Sequence, residues 1–188
     1  MFTAMSEGFG DMKEKINLFI ALAPITTLGD STDKFYHAIS QSIPIVKSLL
    51  EMLGIHEFFG EDWDASAGSF CVVFRDLCDT MALQNVEINE RTNELVARIS
   101  NMRKKPSASV KSIIHFSEIR CNDKFAQYDY LDEALNTKAY GRKTPPLIDL
   151  TKVKGVPISM IVGKLDDLAT PEDAKWAKGQ IGTDVFHY

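Results

Sequence analysis

Apolar positions along the chain form short continuous runs and longer spaced stripes. The run at residues 16–23 is nearly unbroken and ends at Pro24, which predicts a strand buried on both faces, as is typical of parallel sheets. A second β-branched run at residues 156–163 and a third at residues 185–188 predict two further strands. These three runs predict a parallel sheet.

Residues 31–140, between the first two strands, carry apolar stripes at helical spacing. Pro44 is expected to divide the first stripe into two helices, with Ser42 as an N-cap and Gly54 as the C-terminal stop. The stripes predict a shared helical core rather than a cofactor site. Their apolar members are Phe35, Ile39, Ile43, Val46, Leu49, Leu50, Leu53, Phe70, Phe74, Leu77, Met81, Leu95, Ile99, Val110, Ile113, Ile114 and Ile119.

The order of elements predicts an α/β fold with a large helical insertion, a cap or lid over the carboxyl edge of a parallel sheet. The expected parts are a core segment at residues 1–29, the cap at 30–150 and a second core segment at 151–188. The last predicted strand stops with the final residue, Tyr188. We therefore expect the chain to be a truncated part of a larger domain.

Composition limits the classes of function. The 188 residues are 45% hydrophobic and 25% charged, which is ordinary for a globular protein. The net charge of −5 gives no basic footprint for nucleic acid, so no nucleic-acid partner is predicted. No apolar run reaches the ~18 residues of a membrane span, and the N-terminus does not have the pattern of a signal peptide.

No motif predicts a metal or an organic cofactor. The sequence contains no HExxH, GxxxxGK[ST] or GxGxxG pattern, and its three cysteines have no CxxC spacing. On one intact helix Cys71 and Cys78 would lie about 10 Å apart, which is too far for a disulfide.

Asp166 is the leading candidate for chemistry. It follows the second predicted strand, where a carboxylate can reach the sheet's carboxyl edge and orient a histidine, as the acid of a Ser-His-Asp triad does. The alternative is a loop acid that caps the next helix, and the neighbouring Asp167 is a rival for the same role. Thr170 before Pro171 predicts the start of that helix.

Other candidate residues are weaker. His115, beside Phe116, is expected to be a structural histidine, and His187 occupies a strand position that gives it no clear role. Asp129 is expected to make structural hydrogen bonds in a turn. No serine stands in a GxSxG pattern, so the sequence provides no recognisable nucleophile elbow.

Several segments together resemble the acid lipases of the α/β-hydrolase fold, the gastric and lysosomal lipases and their relatives. The most specific are the acid loop at residues 163–171 and the phenylalanine-x-x-tyrosine-aspartate-aromatic segment from Phe125 to Tyr130. The remaining matching segments are residues 19–24, 107–116 and 144–158. In this register the family's catalytic aspartate falls on Asp166.

The resemblance implies hydrolysis of triacylglycerols or cholesteryl esters through an acyl-enzyme, with a cap that moves to admit substrate from a lipid interface. It also implies a secreted or lysosomal enzyme. The family's serine would precede Met1 and its histidine would follow Tyr188, so neither is expected in this chain, which alone should be inactive. The alternative is a non-catalytic lipid-binding or interaction module derived from the cap.

Overall fold

The computed structural model describes residues 1–58, 70–75, 107–182 and 185–187. Contacts divide the chain into two compact units, one made of Met1–Asp33 and Glu118–Tyr188 and the other of Lys34–Ser117. Residues 118–150, which the sequence analysis assigns to the cap, are therefore grouped with the first unit. That the second unit acts as a cap stays a prediction.

The first unit is built on a three-stranded parallel sheet. Its strands are β1 (Phe19–Leu22), β4 (Ile158–Ile161) and β5 (Val185–His187), in the order β1-β4-β5. Phe19 pairs with Ile158 and Leu22 with Ile161, so β1 and β4 are aligned along their whole length. The three predicted strands and the α/β class are confirmed.

Among the residues that the structure describes, helices pack against one face of this sheet. Ala21, Ile158 and Met160 are buried against apolar side chains of α1 (Phe2–Ser6) and α7 (Pro171–Gln180). On the opposite face Ile20 is 53% exposed and Leu22 is 70% exposed. The prediction that the first strand is buried on both faces is wrong, because alternate residues point to opposite faces and the face that carries Ile20 and Leu22 is exposed.

Short helices link the strands of the first unit. A 3-10 turn (Phe9–Asp11) and α2 (Met12–Lys15) lead into β1, and a second 3-10 turn (Leu150–Lys152) precedes β4. Helix α6 (Glu133–Tyr140) is preceded by its N-cap Asp132, whose carboxylate accepts from the Leu135 amide. It is followed by its C-cap Gly141, which has a φ of 69°. A positive φ at this position is the conformation in which glycine is favoured.

The second unit begins with the helix pair predicted around Pro44. Helix α3 (Lys34–Ser40) ends before α4 (Ile43–Met52), Ser42 occupies the N-cap position of α4, and Gly54 follows with φ of 67°. The proline lacks an amide hydrogen, so it is accommodated only in the first turn of the helix. The predicted division is confirmed.

A small antiparallel ladder completes the described part of the second unit. It joins β2 (Glu57–Phe58) to β3 (Ala108–Ser109), which leads directly into α5 (Val110–Asn122). Phe58 contacts Phe35 and Phe70 in edge-to-face geometry, with ring centroids 6.2 and 6.3 Å apart. The helical stripes predicted at Leu77, Met81, Leu95 and Ile99 lie outside the described residues.

The cysteines depart from the expectation of no disulfide. Cys71 is disulfide-bonded and Cys121 is free, whereas Cys78 lies outside the described residues. The expectation assumed one intact helix, but the helical stretch at residues 70–73 is interrupted at Phe74.

Candidate active site

Two loops emerge side by side at the carboxyl edge of the sheet. One follows β1 and the other follows β4, and parallel neighbours end at the same edge. The ladder continues one step beyond β1, where the Ala23 amide donates to the Ile161 carbonyl at 2.8 Å. Residues of both loops are therefore held close together at the edge where open α/β sheets bind ligands.

Asp166 lies in the loop after β4, half-buried. Its Oδ1 accepts from the Leu168 amide at 3.1 Å and from the Ala169 amide at 2.8 Å. Among the described residues, its Oδ2 accepts no hydrogen bond. The turn thus fixes the carboxylate and leaves one oxygen for a further donor, which is what the orienting acid of a triad requires.

Asp167 has a different part in the same loop. Its side chain is exposed, while its carbonyl accepts from the Thr32 amide at 2.9 Å, the Asp33 amide at 3.1 Å and the Ser31 hydroxyl at 3.0 Å. Thus Asp167 ties the two loops together through its backbone. The environments of the two acids favour Asp166 over Asp167 as the residue with a chemical role.

Helix α7, which follows the acid loop, is capped by Thr170 and not by Asp166. The Thr170 hydroxyl accepts from the Asp173 amide at 3.2 Å and donates to Asp173 Oδ2 at 2.9 Å. The predicted start of this helix is confirmed. The alternative role for Asp166, capping the next helix, is already filled by Thr170.

Asp173 is a buried acid that the sequence analysis missed. It is 2% exposed, and its other oxygen, Oδ1, accepts from the Asp30 amide at 3.3 Å. Burial raises the pKa of the Asp173 carboxyl, and the nearby charges of Asp30 and Asp123 raise it further, against the lowering effect of its hydrogen bonds. The Thr-x-x-Asp pattern at residues 170–173 was the signal that could have revealed it.

Arg120 and Asp123 anchor the loop after β1. Arg120 Nη1 donates to the Leu28 carbonyl at 2.9 Å and to the Ser31 carbonyl at 2.7 Å. The Thr27 hydroxyl donates to Asp123 Oδ1 at 2.5 Å. Local pattern gave no signal for these contacts, because their partners are 89 to 96 residues apart in the sequence.

Asp129, in the tyrosine-aspartate-aromatic segment, belongs to a separate hydrogen-bond network. Its Oδ1 accepts from the Leu131 amide and from Asn136 Nδ2, each at 2.8 Å. Its own amide donates to Glu118 Oε2 at 3.0 Å. These contacts agree with the structural role expected for Asp129.

Tyrosines surround this network. The Tyr140 hydroxyl donates to the Tyr128 carbonyl at 2.8 Å, and the ring of Tyr130 contacts both of the other tyrosines. Burial raises the pKa of Tyr140, with smaller contributions from Tyr130, Glu118 and Asp129. Tyr140 is therefore a neutral hydrogen-bond donor near pH 7.

The two histidines considered from the sequence lie on regular secondary structure. His115 lies in α5, and His187 lies in β5, where its backbone is paired with Ser159. A cavity of about 420 Å³ lies elsewhere in the first unit, lined by Phe125, Leu147, Trp176 and Gln180 among others. Asp166 does not line this cavity.

The described residues hold no group of three or more histidine, cysteine or acidic side chains arranged to bind a metal ion. Within the same residues, no helix combines the length and the apolar character needed to span a membrane.

A small parallel sheet flanked by helices, with polar loops at its carboxyl edge, defines the chain as an α/β protein. Comparison with curated proteins narrows the class. Lipase member N of Mus musculus is 26% identical over 168 residues, which cover 87% of this chain and 41% of that protein. Lipase member N of Homo sapiens is 26% identical over 183 residues, 95% of this chain and 44% of that protein.

The lysosomal acid lipase/cholesteryl ester hydrolase of Macaca fascicularis is 25% identical over 191 aligned residues, 99% of this chain and 47% of that protein. No protein-family profile matches the chain. These similarities support a relationship to the acid lipase family, as the resemblance in sequence predicts. The chain spans less than half the length of these curated relatives.

Proposed function

We propose that the chain is part of a lipid-ester hydrolase of the acid lipase type and that Asp166 is the acid of its Ser-His-Asp triad. The observation that carries the proposal is the state of the Asp166 carboxylate. Two amides of its own loop hold Oδ1, and Oδ2 stands at the carboxyl edge of a parallel sheet. The similarity to named lipases supports the lipase part of the proposal.

In the proposed reaction, a serine hydroxyl attacks the ester carbonyl while a histidine accepts the hydroxyl proton. The tetrahedral intermediate collapses to an acyl-enzyme and releases the alcohol, which takes the proton from the histidine; water then hydrolyses the acyl-enzyme. Asp166 orients the imidazole and stabilises its protonated form. Because the 188 residues contain no GxSxG, we assign the serine to a part of a longer protein, and the resemblance to the acid lipases leads us to assign the histidine there as well.

The proposed substrates are neutral lipid esters, either triacylglycerols or cholesteryl esters, met at a lipid interface in a secreted or lysosomal setting. Helix α4 supports contact with lipid, because Ile45 and Met52 lie two turns apart on one side of it and are 63% and 75% exposed. The same exposed stripe is the observation that favours the alternative, a lipid-binding module without catalysis.

The experiment compares Asp166→Asn with Asp167→Asn in a chain extended by the flanking coding sequence. Both changes remove one negative charge from the same loop. We expect Asp166→Asn to lower kcat for a triacylglycerol emulsion on the order of 10³- to 10⁴-fold, as misorienting the histidine does. We expect Asp167→Asn to stay within about threefold of the unchanged protein, since its bonds are made by its backbone.

Equal rates in the two variants would reject Asp166 as the triad acid. The 188-residue chain is assayed alongside, and we expect no hydrolysis from it, because a lone carboxylate barely activates water. If the extended chain also fails to hydrolyse ester yet sediments with the emulsion, the lipid-binding module becomes the better description.

A further inference from the structure

We infer that Ser31 is a positioning residue for Asp166, acting through the peptide bond between Asp167 and Leu168. The inference deepens the proposed function and rests on it for its catalytic meaning. Its structural part is that hydrogen bonds couple the two loops at the sheet edge. This part can be tested without an activity assay.

The Asp167 carbonyl accepts an unusual number of hydrogen bonds. The Asp167 oxygen accepts three hydrogen bonds, from the Ser31 hydroxyl and from the Thr32 and Asp33 amides, all between 2.9 and 3.1 Å. A carbonyl oxygen has two lone pairs, so three donors saturate it. The loop after β1 therefore holds this peptide group from three directions.

The same peptide group also contacts the candidate acid. The Leu168 amide hydrogen, on the other side of the planar peptide, donates to Asp166 Oδ1 at 3.1 Å. Donors at the carbonyl polarise the peptide and strengthen its amide as a donor, by an estimated 10–30% per bond. The three contacts thus act on both the orientation and the bonding of the Asp166 carboxylate.

Ser31 is itself held in place by hydrogen bonds. It is 3% exposed, and its hydroxyl oxygen shares the Asp33 amide hydrogen with the Asp167 carbonyl, at 3.3 Å and 3.1 Å, so the hydroxyl hydrogen is directed to Asp167. Its own carbonyl accepts from Arg120 at 2.7 Å. Two of the three donors to Asp167 are backbone amides, so Ser31 supplies the one donor that a substitution can remove without changing the backbone.

Ser6 offers a matched control. It is also a buried serine whose hydroxyl donates to a distant carbonyl, that of Asp149 at 2.7 Å, across 143 positions of sequence, compared with 136 for Ser31 and Asp167. Ser6→Ala therefore removes a similar bond in the same unit but away from the acid loop.

The experiment measures amide hydrogen exchange by NMR in the 188-residue chain. We expect Ser31→Ala to speed exchange at Leu168 and Ala169 about five- to tenfold relative to Ala174, the factor that loss of one neutral hydrogen bond predicts. Ser6→Ala should leave that ratio unchanged, and Ser31→Thr, which keeps the hydroxyl, should restore it. Equal ratios in Ser31→Ala and Ser6→Ala would overturn the inference.

A measurement on the unchanged chain covers the case in which Ser31→Ala does not fold. Scalar couplings across hydrogen bonds from the Thr32 and Asp33 amide nitrogens to the Asp167 carbonyl carbon should be detectable. Their absence would remove the basis of the inference.

Activity in the extended chain gives the catalytic readout. We expect Ser31→Ala to lower kcat about tenfold with KM unchanged, since it disturbs orientation rather than substrate contact. An altered exchange ratio with unchanged kcat would reject the catalytic part alone. Failure of Asp166→Asn to affect turnover would instead reject the proposed function, so the two failures are distinguishable.

Discussion

Asp166 and Asp129 are two aspartates in similar turns with different surroundings. Each carboxylate uses one oxygen, Oδ1, to accept from an amide two positions ahead and from one further donor. For Asp166 the second donor is another amide of the same loop. For Asp129 it is Asn136, a buried side chain from helix α6. The difference teaches that an aspartate turn alone does not define a chemical role.

The surroundings decide what each carboxylate can do. Asp129 belongs to a buried hydrogen-bond network with partners on α5 and α6, so its hydrogen bonds stabilise the folded chain. In the described part of the chain, the Asp166 carboxylate accepts from amides of its own loop, and that loop is held in turn by backbone and hydroxyl donors from the neighbouring strand's loop. We therefore expect changes around Asp129 to affect folding and changes at Asp166 to affect turnover.

The largest expected effect on stability is at Asn136. This side chain is 3% exposed, donates to Asp129 and to the Lys143 carbonyl, and accepts from the Tyr130 amide. Asn136→Ala leaves buried polar groups without partners, and we expect it to lower the free energy of unfolding by about 2–3 kcal/mol. Urea unfolding followed by circular dichroism measures this.

The exposed Asn122 provides the control, since Asn122→Ala should change stability by less than about 0.5 kcal/mol. Asp166→Asn should also leave the unfolding midpoint nearly unchanged. A midpoint that falls as far for Asp166→Asn as for Asn136→Ala would break the comparison between the two aspartates.

A smaller, pH-dependent effect is expected at Asp173. Its pKa is raised in the folded chain above the ordinary value of an aspartate, chiefly by burial. The folded state therefore holds its proton more tightly than the unfolded state. The stability this provides is present below the unfolded pKa and is lost as pH rises through the folded pKa. We expect Asp173→Asn to remove this loss from the pH dependence of the unfolding free energy.

Glu172, the exposed acid beside Asp173, is the matched control for that measurement. Glu172→Gln also removes one negative charge from the first turn of α7. It should leave the pH dependence of the unfolding free energy at acidic pH unchanged. If the unfolding free energy depended on pH in the same way in Asp173→Asn and Glu172→Gln, burial of Asp173 would not govern that dependence.

The smallest effect is expected at the surface ion pair between Lys143 and Glu133. Nζ and Oε2 are 2.8 Å apart, but the side chains are 73% and 71% exposed. We expect Glu133→Gln to change the free energy of unfolding by less than about 0.5 kcal/mol, because water screens such pairs. A loss as large as that of Asn136→Ala would mean that the surface of α6, rather than its buried amide, stabilises the region.

Local signals predicted much of the fold. Pro44 marks the start of α4, Gly54 marks its end and Thr170 marks the start of α7. These positions are predictable because proline, glycine and capping residues act on the backbone within one turn. The apolar runs predicted the strands, but not that Ile20 and Leu22 would be exposed, since a run does not say which layers pack against a sheet.

The candidate site was predicted in part. Asp166 was proposed from the sequence because it follows a predicted strand in a loop that resembles the acid loop of the acid lipases, and its catalytic role stays a prediction. The roles of Ser31 and Arg120 were not found, because each depends on partners that are brought together only by the folded sheet edge. No pattern within a short window of sequence encodes such contacts.

The three bonds to the Asp167 carbonyl also bear on which substitutions the acid loop can accumulate over evolution. A position that contributes only its backbone can change its side chain freely, so a saturation library should accept many residues at 167. Position 166 needs a carboxylate under the proposed function. Position 168 should accept varied side chains but reject proline, which has no amide hydrogen to give to Asp166. Of these three consecutive positions, 166 would thus require a carboxylate, 167 would accept many residues and 168 would exclude proline.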